Sequence, residues 1–134
     1  MSERFPEEYT LYTYGISYKE TGDGVCWSPK GTMLLVFGGI GVQVYDAATW
    51  KQLHKFNDPN FYCGDCRISP DEKCIASAGA SKAVTIRKLP SLEICHTFQE
   101  KGFTAALCFD DKGERIAFRY PHPPVCLLGW LPAA

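Results

Sequence analysis

The chain repeats itself every 42 residues, and this period leaves few folds open to it. Leu11, Leu53 and Cys95 begin the related stretches LYTY, LHKF and CHTF, and both spacings are 42 residues. A period of this size indicates one supersecondary unit per repeat, with neighbouring units stacked so that they bury a continuous core. We therefore predict an N-terminal lead, three repeats and a C-terminal stub, at residues 1–10, 11–52, 53–94, 95–130 and 131–134.

Each repeat holds four short apolar stretches that are separated by turn residues. The stretches are 4 to 8 residues long and rich in Val, Ile, Leu, Phe, Tyr and Cys, and no window of 11 residues has a helical period. Four strands per repeat predict an all-β fold of antiparallel four-stranded sheets, which is the pattern of β-propeller blades. After the opening stretch of each repeat, the predicted strands lie within Val25–Gly31, Met33–Gly39, Val42–Asp46, Cys66–Glu72, Cys74–Ala80, Val84–Lys88, Leu107–Gly113, Arg115–Tyr120 and Cys126–Trp130.

Residues 25–56 read VCWSPKGTMLLVFGGIGVQVYDAATWKQLHKF, and this stretch resembles a WD40 repeat. Its Trp-Ser-Pro-Lys-Gly turn stands between two inner strands, and Tyr45-Asp46 stands where the family has Trp-Asp. The resemblance extends over residues 11–130 and implies about three propeller blades, which form an incomplete ring. It also implies that residues 11–14 form the outermost strand of a blade whose inner strands come from elsewhere. The equivalents of the Trp-Asp pair in the later repeats are Arg87-Lys88 and Gly129-Trp130.

The repeats depart from the family pattern in their polar residues. No Gly-His dipeptide precedes an inner strand, and no Asp stands in the turn between the second and third strands, at residues 39–41 and 80–82. The buried Asp–His–Ser/Thr–Trp network that the family uses therefore cannot be assembled. We expect apolar packing between the sheets to hold these repeats together.

Charge and composition limit the classes of partner. The chain has 14 Lys and Arg against 15 Asp and Glu, and 46% of its residues are hydrophobic, which is typical of a folded globular protein. A net charge of −1 gives no basic footprint for nucleic acid or an anionic membrane. The polar, acidic start MSERFPEEYT is not a signal peptide, and the seven cysteines are an odd number. These features predict a reducing compartment, either cytoplasm or nucleus.

The cysteines contain one Cys-x-x-Cys pair, Cys63 and Cys66. A structural zinc site usually needs two such pairs, so we expect neither a metal nor another cofactor. Free cysteine in a strand behaves as a small buried hydrophobe, which predicts core packing for most of these thiols. The cysteines inside the predicted strands are Cys26, Cys66, Cys74 and Cys108.

The other candidate catalytic residues also have structural interpretations. His54 and His96 occupy the same repeat position on outer strands, which predicts solvated side chains on separate sheets. Ser28 and Ser69 each precede a proline in a turn. The glycines of FGGIG, residues 37–41, predict a hairpin turn rather than a phosphate-binding loop, since no helix follows them. We expect no enzymatic activity.

Aromatic and charged residues fall together in the loops that would line one rim of a propeller. Such a mixture is typical of protein-binding hot spots, although an aromatic side chain there could equally cap the end of a blade. Trp27 lies on an inner strand, which predicts a core residue, while Trp50 either caps a sheet edge or is an exposed anchor. The candidate rim residues are Tyr18, Lys19, Ile40, Phe61, Tyr62, Lys82, Lys101 and Phe103.

Three blades are too few for a closed propeller, which has about 4 to 8. Two end faces would then stay apolar and open, so we expect a protein partner or self-association to complete the ring. The main functional prediction is a non-catalytic protein–protein interaction scaffold within a larger assembly. One alternative is a truncated or split fragment of a longer WD40 protein. The other is an RNA-binding propeller that uses Lys19, Lys82 and Lys101, which the near-neutral charge disfavours.

Overall fold

The computed structural model describes residues 22–39, 41–57, 63–79, 83–99, 106–120 and 125–130, and side chains at most of these positions. These residues form strands and turns, without a helix, which confirms the all-β prediction. The described part of the chain therefore holds no helix that could cross a membrane. The strands are β1 (Gly22–Trp27), β2 (Met33–Gly38), β3 (Gly41–Asp46), β4 (Gln52–Phe56), β5 (Cys63–Ile68), β6 (Cys74–Gly79), β7 (Ala83–Lys88), β8 (Ile94–Gln99), β9 (Ala106–Phe109), β10 (Arg115–Tyr120) and β11 (Val125–Trp130).

The strands form three antiparallel sheets, and within each sheet neighbours in sequence are neighbours in space. The first sheet is β1-β2-β3-β4, the second is β5-β6-β7-β8, and the third contains β9, β10 and β11 among the described residues. The predicted four-stranded antiparallel sheets are thus present. The predicted strand at residues 11–14 lies outside the described residues. Each four-stranded sheet takes its last strand from the following sequence repeat, since β4 and β8 begin close to the predicted boundaries at residues 53 and 95.

Two kinds of turn shape each sheet. Gly38 pairs with Gly41 at the end of β2 and β3, so the predicted glycine hairpin is confirmed there, and Gly41 has a φ of 81°. The first two strands of each sheet are joined by a turn that a short polar side chain stabilises. Ser28 Oγ accepts a hydrogen bond from the Met33 N–H at 3.0 Å, and Ser69 Oγ accepts one from the Cys74 N–H at 3.1 Å. Both serines are therefore turn residues, as predicted.

The sheets stack face to face, and apolar side chains fill both internal interfaces. Cross-strand partners share one face of an antiparallel sheet, so the strand pairing shows which residues meet. Between the first and second sheets, Leu35 and Phe37 pack against a set that includes Ile75. Between the second and third sheets, Ala76 and Ala78 pack with a set that includes Phe118.

We call the side of a sheet that faces its successor the leading face and the opposite side the trailing face. On the first sheet, the leading face carries Leu35 and the trailing face carries Leu34. The same alternation recurs in the second sheet, where Ala76 leads and Ile75 trails. Each internal interface therefore joins a leading face to the trailing face of the next sheet.

Candidate interaction surface

The trailing face of the first sheet is the first open face. It carries Val25, Trp27, Leu34, Val36 and Tyr45, which the strand pairing places on one side. Among the described residues, its buried cluster contains only side chains of this sheet and of the turn that follows β3. It differs in this from the trailing faces of the second and third sheets, which both pack on a preceding sheet.

Two side chains of this face are exposed although their repeat equivalents are buried. Val25 is 63% exposed and Trp27 is 58% exposed. At the equivalent positions of the second sheet, Cys66 is 0% and Ile68 is 4% exposed. The prediction that Trp27 is a core residue is therefore wrong. The physical reason is that Ile68 is covered by the preceding sheet, whereas no described sheet precedes the one that carries Trp27.

Trp50 extends the same surface from the turn after β3. Its side chain is half-buried against Leu34, Val36 and Tyr45, and its ring centroid lies 6.2 Å from that of Trp27. Its φ of 62° is in the left-handed region, which most side chains avoid. Trp50 therefore packs against the first open face, and its role as an edge cap or as a binding anchor stays a prediction.

The leading face of the third sheet is the second open face. It carries Ala106, Cys108, Ala117 and Arg119, and all except the half-buried Ala117 are exposed. A cleft of about 300 Å³ opens here, with the buried Leu107 and Phe118 among its lining residues. The described side chains of this face are small apart from Arg119, while the first open face presents large apolar side chains.

An ion pair between the buried Asp65 and the partly exposed Arg67 lines the cleft and was not found from the sequence. Asp65 is 5% exposed, and its carboxylate accepts hydrogen bonds from the Cys66 N–H at 2.9 Å and the Leu107 N–H at 2.8 Å. Arg67 also donates to this carboxylate and to the Cys66 carbonyl oxygen. Asp65 therefore links β5 to β9. Two charged residues of opposite sign, Asp65 and Arg67, within the strand stretch CGDCRI were the sequence signal that could have pointed to it.

The cysteines divide into buried and exposed groups. Cys66 is buried, as predicted for a thiol inside a strand, and Cys63, which lay outside the predicted strands, is buried as well. Cys26 and Cys74 are half-buried and Cys108 is exposed. The prediction is wrong for Cys108, because it lies on the open leading face of the third sheet. Within the described ranges, no group of three or more His, Cys, Asp or Glu residues is arranged to hold a metal ion.

Burial sets the protonation of the interior thiols. It raises the pKa of Cys66 well above the ordinary thiol value, with smaller contributions from Cys63, Cys26 and Asp65. Burial also raises the pKa of Cys26, although the charge of Arg67 opposes it. A reactive thiol needs a lowered pKa, so both of these groups are neutral packing residues at pH 7.

The two outer-strand histidines are half-buried, and so the prediction of solvated side chains is wrong. Partial burial lowers the pKa of His54, because it disfavours the charged imidazolium. His96 packs edge-on against Phe98, with ring centroids 4.4 Å apart. The two histidines lie in different sheets, on β4 and β8, as the repeat spacing predicted.

The predicted rim residues all lie outside the described residues. This applies to both the aromatic and the charged members of the set, and to the three lysines of the RNA-binding alternative. They stay predictions: Tyr18, Lys19, Ile40, Phe61, Tyr62, Lys82, Lys101 and Phe103.

Comparisons with known proteins show a shared fold but do not identify a family. Neither the protein-family models nor the curated proteins give a match. Among solved structures, the chain is similar to hydrazine synthase from Kuenenia stuttgartiensis, with a TM-score of 0.66 and 16% identity. The likeness covers 84% of this chain and 32% of that one, so this chain spans about a third of the length of the solved chain. At this identity the likeness shows a shared fold alone.

Proposed function

We propose that this chain is a non-catalytic protein–protein interaction scaffold, a WD40-like β-propeller segment that acts as a subunit of a larger assembly. The observation that carries the proposal is the exposure of Val25 and Trp27, at positions where the next sheet buries Cys66 and Ile68. Large apolar side chains exposed together are typical of binding surfaces. The aromatic member fits the composition of interface hot spots.

The stacking of the sheets supports the propeller interpretation. A propeller blade is a four-stranded antiparallel sheet whose two faces pack on its neighbours, and about 4 to 8 blades close the ring. The first two sheets have this strand number and order, and the second sheet has a neighbour on each face. Completion of such a ring requires further sheets that cover the first open face and the second open face.

The chemistry of the interior supports a scaffold rather than a catalyst. The buried Asp65 is already engaged by two backbone N–H groups and by Arg67. The thiols of Cys26 and Cys66 are held neutral by burial. The polar groups of the interior thus bind one another and join strands, which is a structural role.

Affinity purification of the intact chain, followed by native mass measurement, tests the proposal. We expect a complex heavier than the 15.0 kDa of one chain, formed either with a second copy or with another protein. Ile94→Lys should leave the mass of this complex unchanged, because Ile94 is 54% exposed on an outer strand and away from both open faces. A single species at 15.0 kDa from the wild-type chain contradicts the proposal.

The rim prediction has its own test. Alanine replacements at Tyr18, Phe61 and Tyr62 should weaken capture of a partner protein and leave the melting transition nearly unchanged, because the rim prediction assigns these residues to binding and not to the core. Capture that survives the triple replacement excludes the rim as the binding surface, and leaves the two open faces as the remaining candidates.

A further inference from the structure

We propose that the cleft beside β9 binds a small organic carboxylate, with its anionic group on Arg67 and Arg119 and its apolar body inside the cleft. The inference goes beyond the proposed function, because the site is formed by side chains of this chain alone and needs no protein partner. All of the lining residues belong to the described part of the chain.

The cleft lies where the edge strand β9 passes β5. Within the described residues, β9 pairs with β10, and its Leu107 N–H donates to the Asp65 carboxylate of β5. Asp65 and Arg67 of the second sheet line the cleft together with residues of the third sheet, which include Cys108 and Arg119. The cleft therefore brings charged side chains from two sheets to one place.

The size and lining of the cleft are those of a small-molecule site. Its volume is about 300 Å³, and the buried side chains of Leu107 and Phe118 are among its lining residues. Ala106 and Ala117 also line it and occupy little of its space. Small-ligand sites of about 300–1,000 Å³ are mostly apolar and carry a few polar groups that orient the ligand. A cleft at the lower end of this range fits a compact apolar body.

Arg67 is held in place by a buried carboxylate. Asp65 is 5% exposed, and hydrogen bonds from the Cys66 N–H and the Leu107 N–H fix its position. Arg67 Nη1 donates to this carboxylate and to the Cys66 carbonyl oxygen, and it lies 3.8 Å from Cys26 Sγ. Within the described residues, every hydrogen bond of Arg67 comes from Nη1. The donors on Nε and Nη2 are therefore left for a ligand, on a guanidinium whose orientation is already set.

Arg119 supplies the second cation. It lies opposite Ala106 in the strand pairing, its side chain is exposed, and it makes no hydrogen bond or ion pair within the described part of the chain. Guanidinium groups bind carboxylates through charge-assisted hydrogen bonds, in a planar geometry that matches the two oxygens. The two arginines thus form an anion-binding pair at the cleft.

The charge balance of the cleft selects the class of anion. Arg67 and Arg119 contribute two positive charges and Asp65 contributes one negative charge, so the lining has a net charge of +1. A monoanion balances this charge, whereas a phosphate group with a charge of about −1.5 to −2 would be repelled by the fixed Asp65 carboxylate. Together with the apolar lining, this favours a carboxylic acid with a compact hydrocarbon group.

A ligand series on the purified full chain tests both parts of the site. Phenylacetate should shift the backbone amide resonances of Leu107 and Cys108 in a saturable way. Phenylacetamide has nearly the same shape without the charge and should bind at least about tenfold more weakly, because it loses the charge-assisted hydrogen bonds. Acetate keeps the charge but lacks the ring, and it should also bind at least about tenfold more weakly.

A pair of arginine variants on β10 locates the anionic group. Arg119→Gln should weaken phenylacetate about tenfold and leave phenylacetamide unchanged. The fold should persist, because Arg119 is exposed and binds no described residue, and circular dichroism checks this. Arg115→Gln is the matched control, since Arg115 lies at the other end of β10 and binds Asp110 at 3.0 Å. It should leave both affinities unchanged.

Alkylation of Cys108 gives a second readout that needs no titration. Cys108 is exposed and lines the cleft, whereas the exposed Cys95 lies on β8. Iodoacetate carries a carboxylate and iodoacetamide is its neutral analogue, and both alkylate a thiolate with loss of iodide. The ratio of the iodoacetate rate to the iodoacetamide rate should be at least about threefold higher at Cys108 than at Cys95. Arg119→Gln should remove this difference.

The outcomes separate this inference from the proposed function. No saturable shift with phenylacetate overturns the inference, as does equal binding of phenylacetate and phenylacetamide. Acetate or inorganic phosphate that binds as tightly as phenylacetate would show a general anion site and also overturns it. A phenylacetate affinity that Arg119→Gln leaves unchanged overturns the assignment of the anionic group. None of these results changes the mass of the complex on which the proposed function is tested.

Discussion

The first and second sheets have the same strand order but differ at one pair of positions on their leading faces. In the first sheet, Gly24 lies opposite Phe37, and the ring occupies the space that a Cβ at Gly24 would need. In the second sheet, Asp65 lies opposite Ala78, and the buried carboxylate accepts a hydrogen bond from the Leu107 N–H of the next sheet. One interface is thus filled by an aromatic ring and the other by a carboxylate bound to backbone.

This difference shows what the repeat shares and what it leaves to each interface. The strand positions and the alternation of faces recur, because both follow from the apolar pattern of the repeat. The filling of each interface is individual, since the volume of Phe37 in one is replaced by Ala78 and a hydrogen-bonded Asp65 in the other. The leading faces are therefore not interchangeable, and each trailing face fits the sheet that precedes it.

An exchange of side-chain size between the two interfaces should have the largest effect. Leu35 is 0% exposed, and Leu35→Ala should lower the free energy of unfolding by about 3 kcal/mol, because it leaves a cavity at the first interface. The equivalent Ala76 is also 0% exposed, and Ala76→Leu should cost about 2 kcal/mol through overpacking. Urea unfolding at one fixed protein concentration measures both changes.

Leu53→Ala is the control for this pair, because Leu53 is 44% exposed on β4 and its loss should cost no more than about 0.5 kcal/mol. If Ala76→Leu proves neutral, the second interface accommodates a larger side chain at this position without strain. The two interfaces would then not differ in the side-chain size that they accept at this position.

Removal of the buried carboxylate should act mainly at the second interface, where it accepts the hydrogen bond from the Leu107 N–H. Its partner Arg67 also donates to Cys26 Sγ of the first sheet at 3.8 Å. Asp65→Ala should cost about 2 kcal/mol, because it leaves two backbone N–H groups without their acceptor and Arg67 without its partner. Hydrogen exchange should become faster at the Leu107 amide, while the amides of the first sheet keep their protection. Asp65→Asn keeps one acceptor oxygen and should fall between Asp65→Ala and the wild type.

Asp71→Ala is the control for this experiment, because Asp71 is an exposed carboxylate that binds Ser69 within its own turn. It should leave the exchange of the Leu107 amide unchanged. Equal effects of Asp65→Ala on the first and third sheets would mean that the carboxylate stabilises the whole stack and not one interface.

The sequence was sufficient to predict the described strands, apart from the first three residues of β1 and of β5, but not which faces are covered. Trp27 and Ile68 hold the same repeat position in similar apolar stretches, so local pattern alone treats them alike. Their burial differs because the neighbour that covers a sheet is about 40 residues away in sequence. Asp65 was missed for a related reason, since its acceptor role depends on the backbone N–H of Leu107, 42 residues further on. The alternation of apolar and polar residues along one strand gives no information about such a contact.

A turn residue gives the smallest predicted effect and the finest distinction between the two interfaces. Gly31, Glu72 and Gly113 hold equivalent turn positions with φ of 74°, 60° and 71°. Glu72 alone has a side chain there, and it accepts hydrogen bonds across the first interface from the Lys30 N–H at 2.8 Å and from Thr32 Oγ1 at 2.5 Å. The second interface has Gly113 at this position and lacks the link.

Two replacements separate the hydrogen bonds of Glu72 from the strain of its backbone. Glu72→Ala loses the bonds and keeps the positive φ, so it should cost about 1 kcal/mol, which is the upper range for a largely exposed interaction. Glu72→Gly loses the bonds but relieves a left-handed backbone that costs an L-residue about 1 kcal/mol, so it should be nearly neutral. If both variants cost the same, the positive φ carries no strain.

The pH dependence of the Glu72→Ala effect identifies the charged form as the source. Burial acts to raise the pKa of Glu72, but hydrogen bonds from Ser28, Thr32 and the Lys30 N–H outweigh it and lower that pKa in the folded state. The stabilisation is therefore complete above the unfolded pKa of about 4.3 and is lost as the pH falls through the lowered folded value. Urea unfolding of the wild type and Glu72→Ala should differ at pH 7 and converge in acid. A difference that stays constant down to pH values below the folded pKa would show that the Glu72 side chain stabilises the interface by packing, and that the charge-assisted link across the first interface contributes nothing.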